Sequence, residues 1–414
     1  VIAQLGFFSG FTTSLLNVMS DPTIGWVILV CGLFGSLIHL LVASGGATAF
    51  ADYLLRFVKN RKSALLVTWL LGLSIFIDDY LNALTVGSSM KKVTDQFKVP
   101  REMLAYIVDS TAAPICVLIP LSTWAIYIAG LLESEGVVAQ GEGLQGYLQV
   151  IPFIAYGWVA AFLVPLVAIG WIPPLGAMRR AEKRVQEGGA LMPANSQAIA
   201  LQLPEMAHTG TPKILHFVLP ILVLISATVF FEIDALKGVM TAIVFTVVYF
   251  FFQRVMSFNQ ALAGVFDGFK TMIYALAIVV MSFVLKDVNN QLGLTAFIIE
   301  SVSPWMNSAL LPVIAFISLA VVTFATGSFW GVYAISLPII IPLAQELEVN
   351  VWLAIGAVIS AGAFGSHACF YGDATVLSSS ATGCNNMAHV MTQLPYTLLA
   401  GLGACIIYLV LGYI

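Results

Sequence analysis

Charge is what this chain has least of: only 9% of its 414 residues are Asp, Glu, Lys or Arg, against roughly 25% in a soluble domain. That scarcity excludes a soluble globular fold. A 60% hydrophobic content and a mean hydropathy of +0.97 imply an all-α, polytopic membrane protein. The net charge of −4 carries little information, because placement of charge outweighs its sum in such chains. Nothing suggests nucleic-acid binding. Cysteine is sparse too: Cys31, Cys116, Cys369, Cys384 and Cys405 lie in or beside apolar stretches without zinc-type spacing, and read as small buried hydrophobes. No cleavable signal peptide is visible. With Val at position 1, the natural start is expected upstream.

What is present is most pointed between residues 62 and 98. Two apolar arms, SALLVTWLLGLSIFI and YLNALTVGSSM, meet at Asp78 and Asp79. Lys59, Arg61 and Lys62 precede the first arm, and Lys91, Lys92, Lys98 and Arg101 follow the second. Basic residues mark the cytoplasmic side, so both ends belong there. The arms are about 15 residues each, short of the ~20 needed to span a bilayer, which suits a re-entrant hairpin. One long tilted helix is the alternative, and it strands a basic cluster outside. Non-helical backbone at such depth is tolerated only inside protein or beside water, so the tip should face a cavity.

In chain order, residues 1–22 are an amphipathic lead-in, 24–43 can cross, and 45–60 suit a helix in the interface. The span 103–132 contains Pro114 and Pro120 and should break between Asp109 and Pro114. The loop SEGVVAQGEG holds acids without a base, and 147–170 return. These elements make a first unit over 1–175, followed by a basic cytoplasmic loop over 176–212 and two scaffold helices within 213–255.

The sequence then begins again over 256–414. GFFSGF at 6–11 recurs as GVFDGF at 264–269, GATAF at 46–50 as GLTAF at 293–297, SALL at 63–66 as SALL at 308–311, and IPF at 151–153 as LPY at 394–396. The shared offset sets Asp78 opposite Ser328, Tyr80 opposite Trp330, Ser110 opposite Ser360 and Thr123 opposite Asp373. Each unit holds three traversals, an odd number, so the units should be inverted. The second hairpin, 306–347, is flanked by Glu300, Glu346 and Glu348 without Lys or Arg and should enter from outside; a second broken helix occupies 351–383. Inverted repeats with paired discontinuous helices are the architecture of alternating-access carriers.

Four breaks should meet near the midplane, where helix-end carbonyls can coordinate Na⁺. The carboxylates there are Asp78, Asp79, Asp109 and Asp373. Intramembrane carboxylates are retained when paired, hydrated or functional, and burial lets one group alternate between a proton and a metal cation. For Asp79 the functional and structural readings stand even. His367 either relays protons or orients Asp373, with orientation favoured. The oxygen and amide candidates are Asn82, Ser110, Thr111, Thr326, Ser328, Ser360 and Thr375, and a Na⁺ site is expected at Asp78, Asp109, Thr326, Ser328 and Asp373. Pro114, Gly327, Gly331, Gly362 and Gly365 are the expected hinge positions. His39, His208, His216 and His389 read as edge or loop histidines, and Tyr80 and Trp330 as packing groups.

These stretches carry a resemblance. ATGSFWG resembles the TGTSWGT signature of the NhaC family of sodium/proton antiporters, and GAFGSHACFYGDATVLSSSATG, followed by HVMTQLPY, resembles its GDHCSPISDTTILSS block. FIDDYLNALTVGSSMKKVTD and AYIVDSTAAPICVLIPLSTWA are similar to that family as well. The resemblance implies an elevator-type carrier, often a dimer, in the cell membrane, with Na⁺ and H⁺ as coupling or transported ions and no cofactor. Ser366 stands where the family block has an acid, Cys369 and Phe370 replace its Ser-Pro, and Gly372 replaces a Ser, while His367, Asp373 and Thr375 are kept.

Antiport of Na⁺, or a similar monovalent cation, against H⁺ is therefore the expected activity. Coupled movement of a small organic solute, an amino acid or carboxylate, is the alternative. A channel needs no inverted pair of hairpins. An enzyme is disfavoured because His367 and Asp373 stand without a nucleophile triad or a metal-ligand set.

Overall fold

A computed structural model of the chain describes residues 6–76, 79–120, 122–196, 213–232, 234–293, 297, 300–301, 303–305, 307–327 and 329–414. Every regular element among them is a helix. In chain order these are α1 (Phe7–Ser20), α2 (Pro22–Ala43), α3 (Gly46–Leu54), α4 (Arg61–Ser74), α5 (Asp79–Gln96), α6 (Arg101–Thr111), α7 (Ala113–Cys116), α8 (Thr123–Ser134), α9 (Gly143–Val150) and α10 (Ala155–Ile169). There follow α11 (Gly176–Gln186), α12 (Leu215–Phe230), α13 (Ala235–Phe252), α14 (Phe258–Thr271), α15 (Ile273–Gln291), α16 (Leu311–Thr326), α17 (Phe329–Glu346), α18 (Val351–Ala368), α19 (Asp373–Thr382) and α20 (Asn386–Tyr413).

By length and composition, Ile24–Ala43, Ala235–Phe252, Phe329–Glu346, Val351–Thr382 and Asn386–Tyr413 can each cross a membrane. The bent pair Gly143–Phe153 and Ala155–Ile169, 58° apart, adds a sixth. α17 is thus long enough to cross by itself, whereas its partner α16 is shorter.

Two helix pairs organise the interior. The first, α4 and α5, starts from a capping box in which Asn60 Oδ1 accepts from Ser63 N at 3.0 Å and Ser63 Oγ accepts from Asn60 N at 3.1 Å. Both ends of this pair meet one segment. Arg61 pairs with Glu182 of α11; beyond α5, Arg101 N donates to Leu191 O at 3.0 Å, and Arg184 grips Glu102 through two bonds of 2.8 and 2.9 Å. The second pair, α16 and α17, also returns to its start, because Ser308 and Glu348 line one cavity of about 500 Å³ together with Gly412 and Ile414.

α20 measures the separation of these bases. Its 28 residues run about 42 Å at 1.5 Å per residue. At its beginning Asn385 N donates to Ser196 Oγ at 3.0 Å, beside the basic segment; at its end a Cβ on Gly412 would lie 2.0 Å from Ala309 O. The two pairs therefore have their bases at opposite ends of α20.

Each pair's tip lies against a broken helix. Cys116 Sγ, at the end of α7, donates to Phe76 O at 3.3 Å, and Asn82 Nδ2 of α5 donates to Thr111 O, at the end of α6, at 2.9 Å, so the first pair is held on either side of the α6–α7 break. Tyr371 OH donates to Ala325 O at 2.6 Å, which holds the second at the break between α18 and α19. Gly327 ends α16 at φ 65°, and a Cβ there would come within 2.8 Å of the Tyr371 ring. The helices behave alike below the tips: a Cβ on Gly72 would meet Thr111 Cβ at 2.5 Å, and one on Gly365 would meet Thr323 Cβ at 2.2 Å. Small residues let backbones approach closely where lipid provides no hydrophobic drive between helices. Away from this region α2 crosses α14 on the same principle, with Ser36 Oγ donating to Val265 O at 2.7 Å.

The break expected between Asp109 and Pro114 falls at Ala112 (φ −83°, ψ −100°). Pro114 follows in the first turn of α7, where a missing N–H costs nothing. The span to residue 132 is interrupted a second time between α7 and α8. Gly362 and Gly365 lie inside continuous α18, where they admit Tyr333 and Thr323, so the second break sits beyond them at residues 369–372.

Candidate functional site

Asp109, in the last turn of α6, is fully buried. Its Oδ2 is the focus of three polar groups: Thr375 Oγ1 of α19 at 3.1 Å, and His389 Nε2 and Gln393 Nε2 of α20 at 3.1 and 2.7 Å. His389 and Gln393 are four residues apart, one turn on the same helix face. Thr375 Oγ1 is also 2.9 Å from Ser366 O, so it bridges α18 to Asp109. Gln393 Nε2 reaches a second acceptor, His367 O. On the other side of the carboxylate, Asp109 Oδ1 has no hydrogen-bond partner among the described residues, and neither have Gln393 Oε1, His389 Nδ1 and Ser366 Oγ. Buried polar atoms are paired in the great majority of cases, so Asp109 Oδ1 and Gln393 Oε1, on side chains that bond each other, are the two to account for at this carboxylate.

Asp373, the first residue of α19, stands two positions before Thr375. Its Oδ1 accepts from Ala374 N at 2.8 Å and its Oδ2 from Tyr80 OH of α5. A carboxylate in a first helical turn faces unpaired amides and the positive end of the helix dipole. His367 closes the site from α18: its Nε2 lies 3.0 Å from Ser110 Oγ and its Nδ1 2.8 Å from Tyr156 OH. His367 thus holds Ser110, the neighbour of Asp109, and does not bond Asp373 directly.

Asn82 faces three helix-end carbonyls with its amide nitrogen, Gly72 O at 2.7 Å, Ile75 O at 2.8 Å and Thr111 O at 2.9 Å. It ties the first tip to the first break by capping carbonyls that the sequence left open for a cation. Thr111 Oγ1 bonds back to Ile107 O and Val108 O. Ser360 Oγ accepts from Tyr408 OH at 2.6 Å and Tyr156 N at 3.3 Å. Thr326 is buried at the end of α16, with its hydroxyl 3.5 Å from Thr323 O. Asp79 is buried at the start of α5, and Gly331 lies in α17. Asp78 and Ser328 lie outside the described residues, as does His208.

His39 and His216, read from the sequence as edge histidines, lie near helix ends and are at most 3% exposed; His389, read the same way, is fully buried and is corrected. His389 in particular belongs to the Asp109 cluster. Tyr80, read as a packing group, hydrogen-bonds Asp373 while its ring lies 6.4 Å from that of Trp26. Trp330 does pack, in a cluster with Trp124, Tyr127 and Phe329. Gln393 and Tyr156 were missed. The signal for Gln393 was a polar pair at helical spacing, His389 and Gln393, in an otherwise apolar segment.

Among the described residues no three His, Cys, Asp or Glu side chains are grouped so as to hold a metal ion. The donors are instead carboxylate, amide, hydroxyl and carbonyl oxygens, which suit a hard cation or a proton rather than a soft metal.

The sequence signature of the Na⁺/H⁺ antiporter family matches residues 115–413. An uncharacterised protein of Haemophilus influenzae is 32% identical over an alignment that covers 94% of this chain and 78% of that protein.

Proposed function

Because the chain belongs to the Na⁺/H⁺ antiporter family, a family of membrane transporters and not of enzymes, we propose that it exchanges Na⁺, or a related monovalent cation, for H⁺ by alternating access. Asp109 carries the reading. Three polar groups crowd its Oδ2, so a proton or a cation arriving at this carboxylate goes to Oδ1. One atom that accepts either species, but not both, is the minimum device for exchange. Asp373 supplies the second carboxylate, and Asp78, Thr326 and Ser328 complete the expected cation path from the two tips.

The same reading takes the helix pairs as re-entrant hairpins of two inverted repeats. The opposite placement of their bases along α20 supports it, as does the close approach of each pair's first helix to its broken helix, with the glycine on the pair in one (Gly72 against Thr111) and on the broken helix in the other (Gly365 against Thr323). The basic segment around α11 then faces the cytoplasm, and the cell membrane is the location.

The test is to reconstitute the protein in liposomes, impose a Na⁺ gradient and follow internal pH. Asp109→Asn and Asp373→Asn are expected to abolish the response. Exchange at the parent rate in both variants would remove these carboxylates from the mechanism. A panel of amino and carboxylic acids in place of Na⁺ separates cation exchange from organic-solute coupling.

A further inference from the structure

The geometry points to Gln393 as a ligand of the transported cation: its amide oxygen and Asp109 Oδ1 form a pair of oxygens, one neutral and one charged, that binds the ion. The inference rests on the exchange proposed above and adds to the site a helix, α20, that the sequence did not bring there.

The orientation of the amide follows from its neighbours. Gln393 Nε2 faces two groups that can only accept, Asp109 Oδ2 at 2.7 Å and His367 O. The nitrogen must therefore lie on that side and the oxygen on the other. Gln393 is fully buried, and its Oε1 has no partner among the described residues. Asp109 Oδ1 is in the same condition. A single hydrogen bond, Gln393 Nε2 to Asp109 Oδ2, joins the two side chains that carry these unpartnered acceptors. Two acceptors that lack donors repel each other and favour an electropositive visitor between or beside them. A monovalent cation between them satisfies both; a proton on Asp109 Oδ1 satisfies both by donating to the amide oxygen, so the two species contend for the same pair.

The full chain in liposomes provides the test, with internal pH read as Na⁺ or Li⁺ is added outside. Gln393→Leu removes the oxygen. We expect the half-saturating Na⁺ concentration to rise by about tenfold or more and the preference between Na⁺ and Li⁺ to change. Gln393→Glu returns an oxygen at the same reach and should recover Na⁺ affinity at alkaline pH. A purely structural residue would lower the maximal rate and leave ion preference unchanged. Unaltered half-saturation and ion preference in Gln393→Leu, or a loss confined to the maximal rate, overturns the assignment. Should the leucine variant fail to fold, Gln393→Asn, which withdraws the oxygen by one methylene, is held to the same result. A parent protein that moves no protons in response to Na⁺, Li⁺ or K⁺ refutes the exchange reading and the ligand with it. A responsive parent matched by its Gln393 variants refutes the ligand alone.

Discussion

Tyr80 and Asp373, 293 positions apart in the chain, are joined by a hydrogen bond from the phenol to the carboxylate, and both side chains are at most 3% exposed. The bond crosses from the first helix pair to the second broken helix, the two parts that the sequence assigned to different repeats. With both groups buried, leaving one partner unpaired is costly. Tyr80→Phe and Asp373→Asn should each destabilise the protein. A double-mutant cycle read by denaturant unfolding in micelles should return a coupling of about 1.5–3 kcal/mol. Additive effects would mean that the bond contributes nothing.

If H⁺ and the cation contend for Asp109 Oδ1, the half-saturating Na⁺ concentration must depend on pH. One-for-one competition raises it about tenfold for each unit that pH falls once protons hold the site. Initial rates of Na⁺-driven proton movement across a pH series measure this. A half-saturation that stays level from mildly acidic to alkaline pH argues for separate sites.

The glycines that admit threonine side chains define where substitution hurts. Gly72→Ala and Gly365→Ala would drive a methyl to within 2.5 and 2.2 Å of Thr111 and Thr323 Cβ, and overpacking of this kind costs about 1–3 kcal/mol. Gly130 lies inside α8, where an added methyl would meet nothing within 4 Å, so Gly130→Ala should be neutral or slightly stabilising. Thermal unfolding in detergent compares the three. Equal midpoints would show that α4 and α6, and α16 and α18, have room to separate.

Glu182, in the polar helix α11, has its carboxyl pushed above the usual range chiefly by burial, with Arg61 pulling the other way. An acid whose folded-state value is raised binds its proton more tightly folded than unfolded. Its contribution to stability is therefore most favourable below the ordinary carboxylate value and declines as pH rises through the raised one. The advantage of the parent over Glu182→Gln in unfolding midpoint should shrink as pH rises through this mildly acidic window. Parallel curves for the two proteins would contradict it.

Much of the architecture was legible because it depends on coarse properties. Apolar runs and low charge marked the helical membrane class, and the prolines marked the interruption at Ala112; the hinge glycines expected in the second broken helix, Gly362 and Gly365, instead lie inside α18. Asp109 and Asp373 stood out because a carboxylate in an apolar segment demands a partner. The partners themselves were not legible. Which residue of α20 faces α6 depends on how helices cross, and nothing in the local sequence encodes that, so His389 was read as peripheral and Gln393 passed over. Asn82 was recognised as polar and buried, but whether such an amide serves a ligand or caps its own helix ends is decided by carbonyls 7 to 29 positions away. Tyr80 was read by its ring, and its hydroxyl proved to be the group with a specific partner.

Arg101 holds Asp95 at 2.6 Å and Thr382 O at 2.8 Å, at the end of α5 remote from Tyr80. Together with Tyr80 and Asp373 it rivets α5 to α19 at two points, one at each end of the shorter helix. Sliding or tilting either helix alone would break these bonds. In the exchange proposed above, α5 and α19 would then travel together, and the slip would fall along another seam of the molecule.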